Sequence, residues 1–127
     1  MTTATGRQFS FPDCQRNRSG NANFKTQIVN YPVQSVATAE IVPLGVILLF
    51  NKLKERGLQS VVINTVHDSV LIDTHPDEID IVKEVGPQCL LDAQDEAKKR
   101  FGLPDYIPLE VEMSYGKNWM DQGEFNE

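Results

Sequence analysis

The chain has 127 residues, 40% hydrophobic and 24% charged, which allows one globular domain with a modest core. Its net charge of −6 excludes a surface that is basic throughout, as general nucleic-acid binders carry. The charge is segregated, however: residues 1–34 hold four basic side chains against Asp13 alone, leaving eight basic and 17 acidic in the rest, so any DNA contact belongs to the N-terminal third and to the turn at His67.

Residues 1–24 are polar, and the opening has no apolar run of the kind a signal peptide needs. Gly6-Arg7-Gln8-Phe9-Ser10-Phe11-Pro12 alternates polar and aromatic residues, which predicts a short strand ended by proline. Asn17 to Asn23 reads as a loop, and Phe24 to Asn30 as one short helix. Pro32 then opens a longer helix, since proline is tolerated in a first turn. It runs from about Val33 to Arg56 and stops at Gly57. Lys52, Lys54 and Arg56 suit the dipole at its end. Pro43 falls inside and predicts a kink. Ile41 to Phe50 is the longest apolar run. It is too short to cross a bilayer and predicts burial on most sides; no membrane contact is expected.

Val61-Val62-Ile63-Asn64-Thr65-Val66 and Val70-Leu71-Ile72-Asp73 read as two strands with His67-Asp68-Ser69 between them. A hairpin is a stiff mount, and an aspartate at its tip projects a carboxylate with little freedom. Turn chemistry alone also explains the tripeptide, because Asp and Ser satisfy their own backbone there. Thr74-His75-Pro76-Asp77-Glu78 has the features of a helix start, with Thr74 as cap. Ile79, Val82 and Val85 form one apolar face. Gly86-Pro87 interrupts or splits this helix, Leu90, Ala93 and Ala97 continue a face beyond, and Phe101-Gly102-Leu103-Pro104 ends it. Leu109, Val111, Met113 and Tyr115 alternate with polar residues as a half-buried strand, with Trp119 as a core plug beside it. The tail after Trp119 reads as loose. Cys14 and Cys89 match no metal spacing, and free thiols in a reducing cytosol are expected.

Four separated pieces fall in one order. Gly6-Arg7 with Pro12-Asp13 resembles the "GRR…LPD" strand that follows the fingers in family A DNA polymerases. Asn30-Tyr31-Pro32-Val33-Gln34 resembles the family's "N-x-P-x-Q" at the start of a palm helix. Val66-His67-Asp68-Ser69 resembles "V-H-D-E" of motif C. Gly116-Lys117-Asn118-Trp119 resembles the "G-x-N-W" that closes such polymerases. The resemblance implies an α+β fold, a partial palm with the hairpin and a C-terminal strand in one small antiparallel sheet on long helices. It divides the chain into a basic N-terminal strand and loop (1–30), a palm helix (31–57), the motif C hairpin (58–74), a helix (75–103), a final strand (104–119) and a loose tail (120–127).

The resemblance also implies roles. Asp68 is one of two carboxylates that hold catalytic Mg2+ ions, and His67 lies near the primer terminus. Asn30 and Gln34, four residues apart on one helix face, reach the minor groove, where amides bond acceptors that every base pair shows. Arg7 binds phosphate. Ser69 stands where most of the family has glutamate; single-subunit RNA polymerases also show His-Asp-Ser. Thr26 stands where many members have arginine, and the neighbouring Lys25 is the candidate to compensate. Pro43 and the Ser35-to-Glu40 stretch point to a phage or plasmid branch. The two-metal mechanism needs a second carboxylate and ions about 3.5–4 Å apart, and the fingers supply the triphosphate site. Both lie outside this sequence. The expected partners are therefore a DNA primer-template, deoxynucleoside triphosphates held elsewhere, and a polypeptide or preceding segment carrying the fingers and the rest of the palm. The expected location is the bacterial cytosol, including that of a phage-infected host. Three other readings stay open: a non-catalytic palm remnant or binding module, a fragment of a single-subunit RNA polymerase, and a metal-dependent hydrolase built on His67, Asp68, Asp73 and His75.

Overall fold

A computed structural model describes residues 2, 3, 5–102 and 110–124. Two helical rods and two separate antiparallel ribbons make an α+β fold.

The backbone is helical without a break from Lys25 to Glu55: α1 (Lys25–Ser35), a π-helical segment (Val36–Ile41) and α2 (Val42–Glu55). The predicted break before Pro32 is absent, and Pro32 lies inside α1. At Pro43 the structure gives a physical answer to the predicted kink. A proline ring conflicts with the carbonyl four residues earlier, here Ala39, and that residue lies in the widened π segment. Thr38 Oγ1 also donates to the Gln34 carbonyl at 2.8 Å, a side-chain bond of the kind that bends helices. α2 ends as predicted. Gly57 takes φ +66°, and Leu58 N donates to Leu53 O at 3.0 Å, a Schellman closure. By length and composition alone, the 31-residue helical run is apolar enough to cross a membrane; a core helix passes the same test, and Leu49 and Leu53 lie in the core. The predicted burial of 41–50 on most sides is corrected: Val42, Gly45 and Leu49 are buried, but Ile47 and Phe50 are exposed.

β1 (Val61–Val66) and β2 (Ser69–Asp73) form the predicted hairpin, with a bulge between Val62 and Asn64. A 3₁₀ turn (Pro76–Glu78) leads into α3 (Ile79–Phe101). Its cap is His75 rather than Thr74, with Nδ1 accepting from Asp77 N at 3.3 Å. Gly86-Pro87 does not interrupt α3. At Gly86 a Cβ would stand 3.3 Å from Met113 Cε, so the helix face must be smooth where Met113 crosses it. Gly45 does the same for α2 against α3, since a Cβ there would meet Leu90 Cδ2 at 2.5 Å.

The core is Leu49 and Leu53 against Val82, Val85 and Cys89, with Val62, Val70, Ile72 and Met113 packed around it. Each fully buried leucine contributes roughly 1.5–3 kcal/mol. Both cysteines are free, and burial pushes the Cys89 thiol up.

The N-terminal segment is corrected. Residues 6–12 form no strand; Gln8 makes one isolated bridge with Thr2. The alternating aromatics serve ring contacts instead, with Phe9 and Phe11 each packing edge-on against Tyr31 at 5.4 Å. The C-terminal sheet is also corrected. β3 (Ser114–Gly116) pairs with β4 (Gln122–Glu124), not with the hairpin. Asn118 turns the chain back, its Oδ1 accepting from Met120 N and Asp121 N at 3.0 Å, so part of the tail expected to be loose is a strand. Trp119 is 57% exposed and is no core plug. The first part of the predicted final strand, through Leu109, lies outside the described residues.

Candidate functional site

The turn between β1 and β2 contains two residues, His67 and Asp68, closed by the pair Val66 and Ser69. His67 has φ +55°, and Asp68 does not share that positive φ. Positive φ at the first central residue alone is the pattern of a type II′ turn, where glycine is favoured. A histidine there stores roughly 1–2 kcal/mol of backbone strain. Ser69 Oγ donates to the Val66 carbonyl at 2.8 Å and fastens the turn from below. The Asp68 carboxylate is left over. It is exposed, and among the described residues no hydrogen bond or ion pair engages it. His67 is likewise exposed.

The mount is stiff at both ends. Val62, Val70 and Ile72 pack on the core. At the base, the Glu78 carboxylate accepts from Gln59 N at 2.9 Å, from Ser60 N at 2.9 Å and from Ser60 Oγ at 2.6 Å. Ser60 Oγ in turn accepts from His75 N at 3.0 Å. The Ser60 hydroxyl, with the Gln59 amide next, holds the Glu78 carboxyl below its ordinary range.

Asn30 and Gln34 are both exposed on α1, four residues apart. α1 packs against the π segment and does not touch the hairpin, so the structure does not join these amides to Asp68. Lys25 opens α1 and is exposed. Arg7 is engaged: its Nε pairs with Glu40 at 3.1 Å, while its side chain stays 46% exposed. Glu40 also accepts from Thr5 Oγ1 at 3.1 Å and from Ser35 Oγ at 3.4 Å. This buried hub, and the Glu78 clamp, were missed by sequence reasoning. The available signal was a lone acid beside an apolar helical run.

Among the described residues no group of three or more His, Cys, Asp or Glu side chains converges on a metal position. Asp73 sits at the far end of β2, roughly 13 Å from the turn at 3.3 Å per residue, and His75 is the cap described above. The four-residue hydrolase set is therefore not assembled.

The sequence model of DNA polymerase family A matches residues 1–121. This chain belongs to that family. It is 38% identical over 93 residues to "DNA polymerase I" of Caldicellulosiruptor bescii, covering 73% of this chain and 10% of that protein. Over 123 residues it is 30% identical to the "DNA polymerase" of Bacillus phage SP01, covering 95% of this chain and 13% of that protein. "DNA polymerase I" of Bacillus subtilis shares 27% over 122 residues, again 95% of this chain and 13% of that protein. The family A chain thus spans about a tenth of the length of these relatives. No solved structure matches it.

Proposed function

We propose that this chain is a C-terminal palm portion of a DNA-directed DNA polymerase and that Asp68 is its catalytic carboxylate. The observation that carries the reading is a free, exposed carboxylate at the tip of a hairpin fastened by Ser69 and clamped by Glu78. Family membership supports the reaction class, template-dependent nucleotidyl transfer in replication. The matches to bacterial and phage polymerases support a bacterial or phage-infected cytosol as its setting.

Magnesium takes carboxylate oxygens and keeps the rest of its shell for water and phosphate. Asp68 fits such an ion as a single ligand, and among the described residues no group of three or more His, Cys, Asp or Glu side chains could hold one. The other carboxylate and the triphosphate site come from outside residues 1–127. A paired magnesium site, when bound, supplies charge stabilisation to the transferring phosphoryl group. This chain's own part is to hold the Asp68 carboxylate still. His67 stands at the same tip for the primer terminus, and Asn30 and Gln34 check base-pair shape from the minor groove. Arg7 divides its guanidinium between Glu40 and phosphate. Ser69 fastens the turn through the Val66 carbonyl.

The test is primer extension with the missing palm and fingers supplied as a second polypeptide. The isolated chain is expected to be inactive. In the completed enzyme Asp68→Ala should abolish extension, while Ser69→Ala should retain most of it. Equal losses would refute the division of roles within the turn.

A further inference from the structure

The loop before α1 is built rather than slack. Arg16 bridges Ala22. Asn17 N donates to Asn21 O, and Gly20 N to Asn17 O, both at 2.9 Å. Asn17 Oδ1 accepts from Ser19 N at 3.0 Å and from Asn21 N at 2.9 Å. At the neck, Gln15 N donates to Asn23 Oδ1 at 2.7 Å and Asn23 N to Gln15 O at 3.0 Å. Asn23 Nδ2 donates to the Asp13 carbonyl at 3.3 Å. Every residue from Gln15 to Asn21 is exposed. Among the described residues, no ion pair engages Arg16 or Arg18.

We infer that this loop is a second DNA contact, with Arg16 and Arg18 binding the phosphodiester backbone. Three features support it. Cations on a hydrogen-bonded loop lose little further freedom on binding, so their charge converts to affinity with small ordering cost. The Asn23 amide and the Asn17 Oδ1 are occupied by the loop itself, so what the arginines add is charge directed at phosphate, which positions without reading sequence. Seventeen of the 18 acidic residues lie beyond residue 34, and among the described residues none of them pairs with these arginines. The loop also runs directly into α1, which carries Asn30 and Gln34. A backbone contact and the minor-groove amides then share one continuous piece of chain. The choice of DNA as the polyanion rests on the polymerase reading.

The test is binding of the 127-residue chain to a labelled duplex with a recessed 3′ end, across salt from roughly 50 to 200 mM. Arg16→Ala/Arg18→Ala should make the slope of log affinity against log salt shallower by about two, one per lost phosphate contact, with the melting temperature unchanged. Arg16→Lys/Arg18→Lys should keep the parent slope. Failure of the polymerase reading shows in primer extension by the completed enzyme, and failure of the loop in this salt dependence, so the two are distinguishable. The inference is overturned by an unchanged slope in the double alanine variant or by no parent binding at the lowest salt. Competition by polyglutamate as strong as by DNA of equal charge also overturns it.

Discussion

Glu40 is the sharpest place to test how the N-terminal arm is held. Its side chain is 7% exposed. Its carboxylate gathers Thr5 Oγ1 at 3.1 Å, Ser35 Oγ at 3.4 Å to both oxygens, and Arg7 Nε at 3.1 Å. Glu40→Ala removes all of these at once. The Arg7 pair is half solvated, so it is worth under about 1 kcal/mol after screening. The Ser35 bonds are long and shared. The greater loss comes from the buried Ser35 hydroxyl, left without this acceptor, which costs roughly 1–3 kcal/mol. The Thr5 bond, to a charged acceptor, adds about 1 kcal/mol. A total loss of about 2–5 kcal/mol is expected, a large share of the stability of a small domain. With a urea slope of about 1.5–2 kcal/mol per molar, the midpoint should fall by about 1–3 M. Arg7→Ala should cost under about 1 kcal/mol, and Glu40→Gln should lie between the two. Amide exchange should accelerate at Gly6 and Arg7 in Glu40→Ala before the hairpin is affected. An unchanged urea midpoint for Glu40→Ala, or a larger loss for Arg7→Ala, would refute the ranking.

Two further predictions concern the hairpin. Glu78 has a folded-state pKa below its ordinary value of 4.5, so its contribution is full above that value and is lost as pH falls through the lower folded value. Glu78→Gln should therefore flatten the acid-side fall of melting temperature, and an unchanged acid slope would show the clamp to be weak. His67→Gly should leave stability unchanged or raise it by up to about 1 kcal/mol, because it relieves the left-handed strain against a small entropic cost; urea unfolding decides it, and a clear loss would show that the imidazole makes a stabilising contact.

Much of the fold is legible because periodicity survives packing. The alternation in 61–73 becomes a hairpin. The three-residue spacing of Val82 and Val85, and the Ala93 and Ala97 pair, become the buried face of α3. The misreadings share a cause: proline and glycine look like local punctuation, and tertiary context overrides them. Pro32 and Pro87 sit inside helices, and Gly86 is a packing residue rather than a break, since a Cβ there would stand 3.3 Å from Met113 Cε. The strand at 6–12 fails for the opposite reason. Its alternation is real, but it places Phe9 and Phe11 on Tyr31 rather than on a neighbouring strand. Local sequence cannot show whether a partner strand exists. The pairing of β3 with β4 is hidden in the Asn118 turn.

At the candidate site, turn chemistry and metal chemistry look like rivals for His67-Asp68-Ser69. The structure shows which of the three residues carry the turn. Ser69 does the turn work by bonding the Val66 carbonyl, and His67 accepts the left-handed φ. Asp68, the residue best suited to satisfy a turn through its side chain, takes no such bond among the described residues. A carboxylate that served the turn would have its lone pairs committed to the backbone, whereas one left free on a turn fastened by its neighbours keeps them available at a fixed point. That arrangement explains why a serine is useful next to Asp68. A carboxylate at 69 would add charge to the tip but supply no hydroxyl to the Val66 carbonyl, which Ser69 Oγ reaches at 2.8 Å.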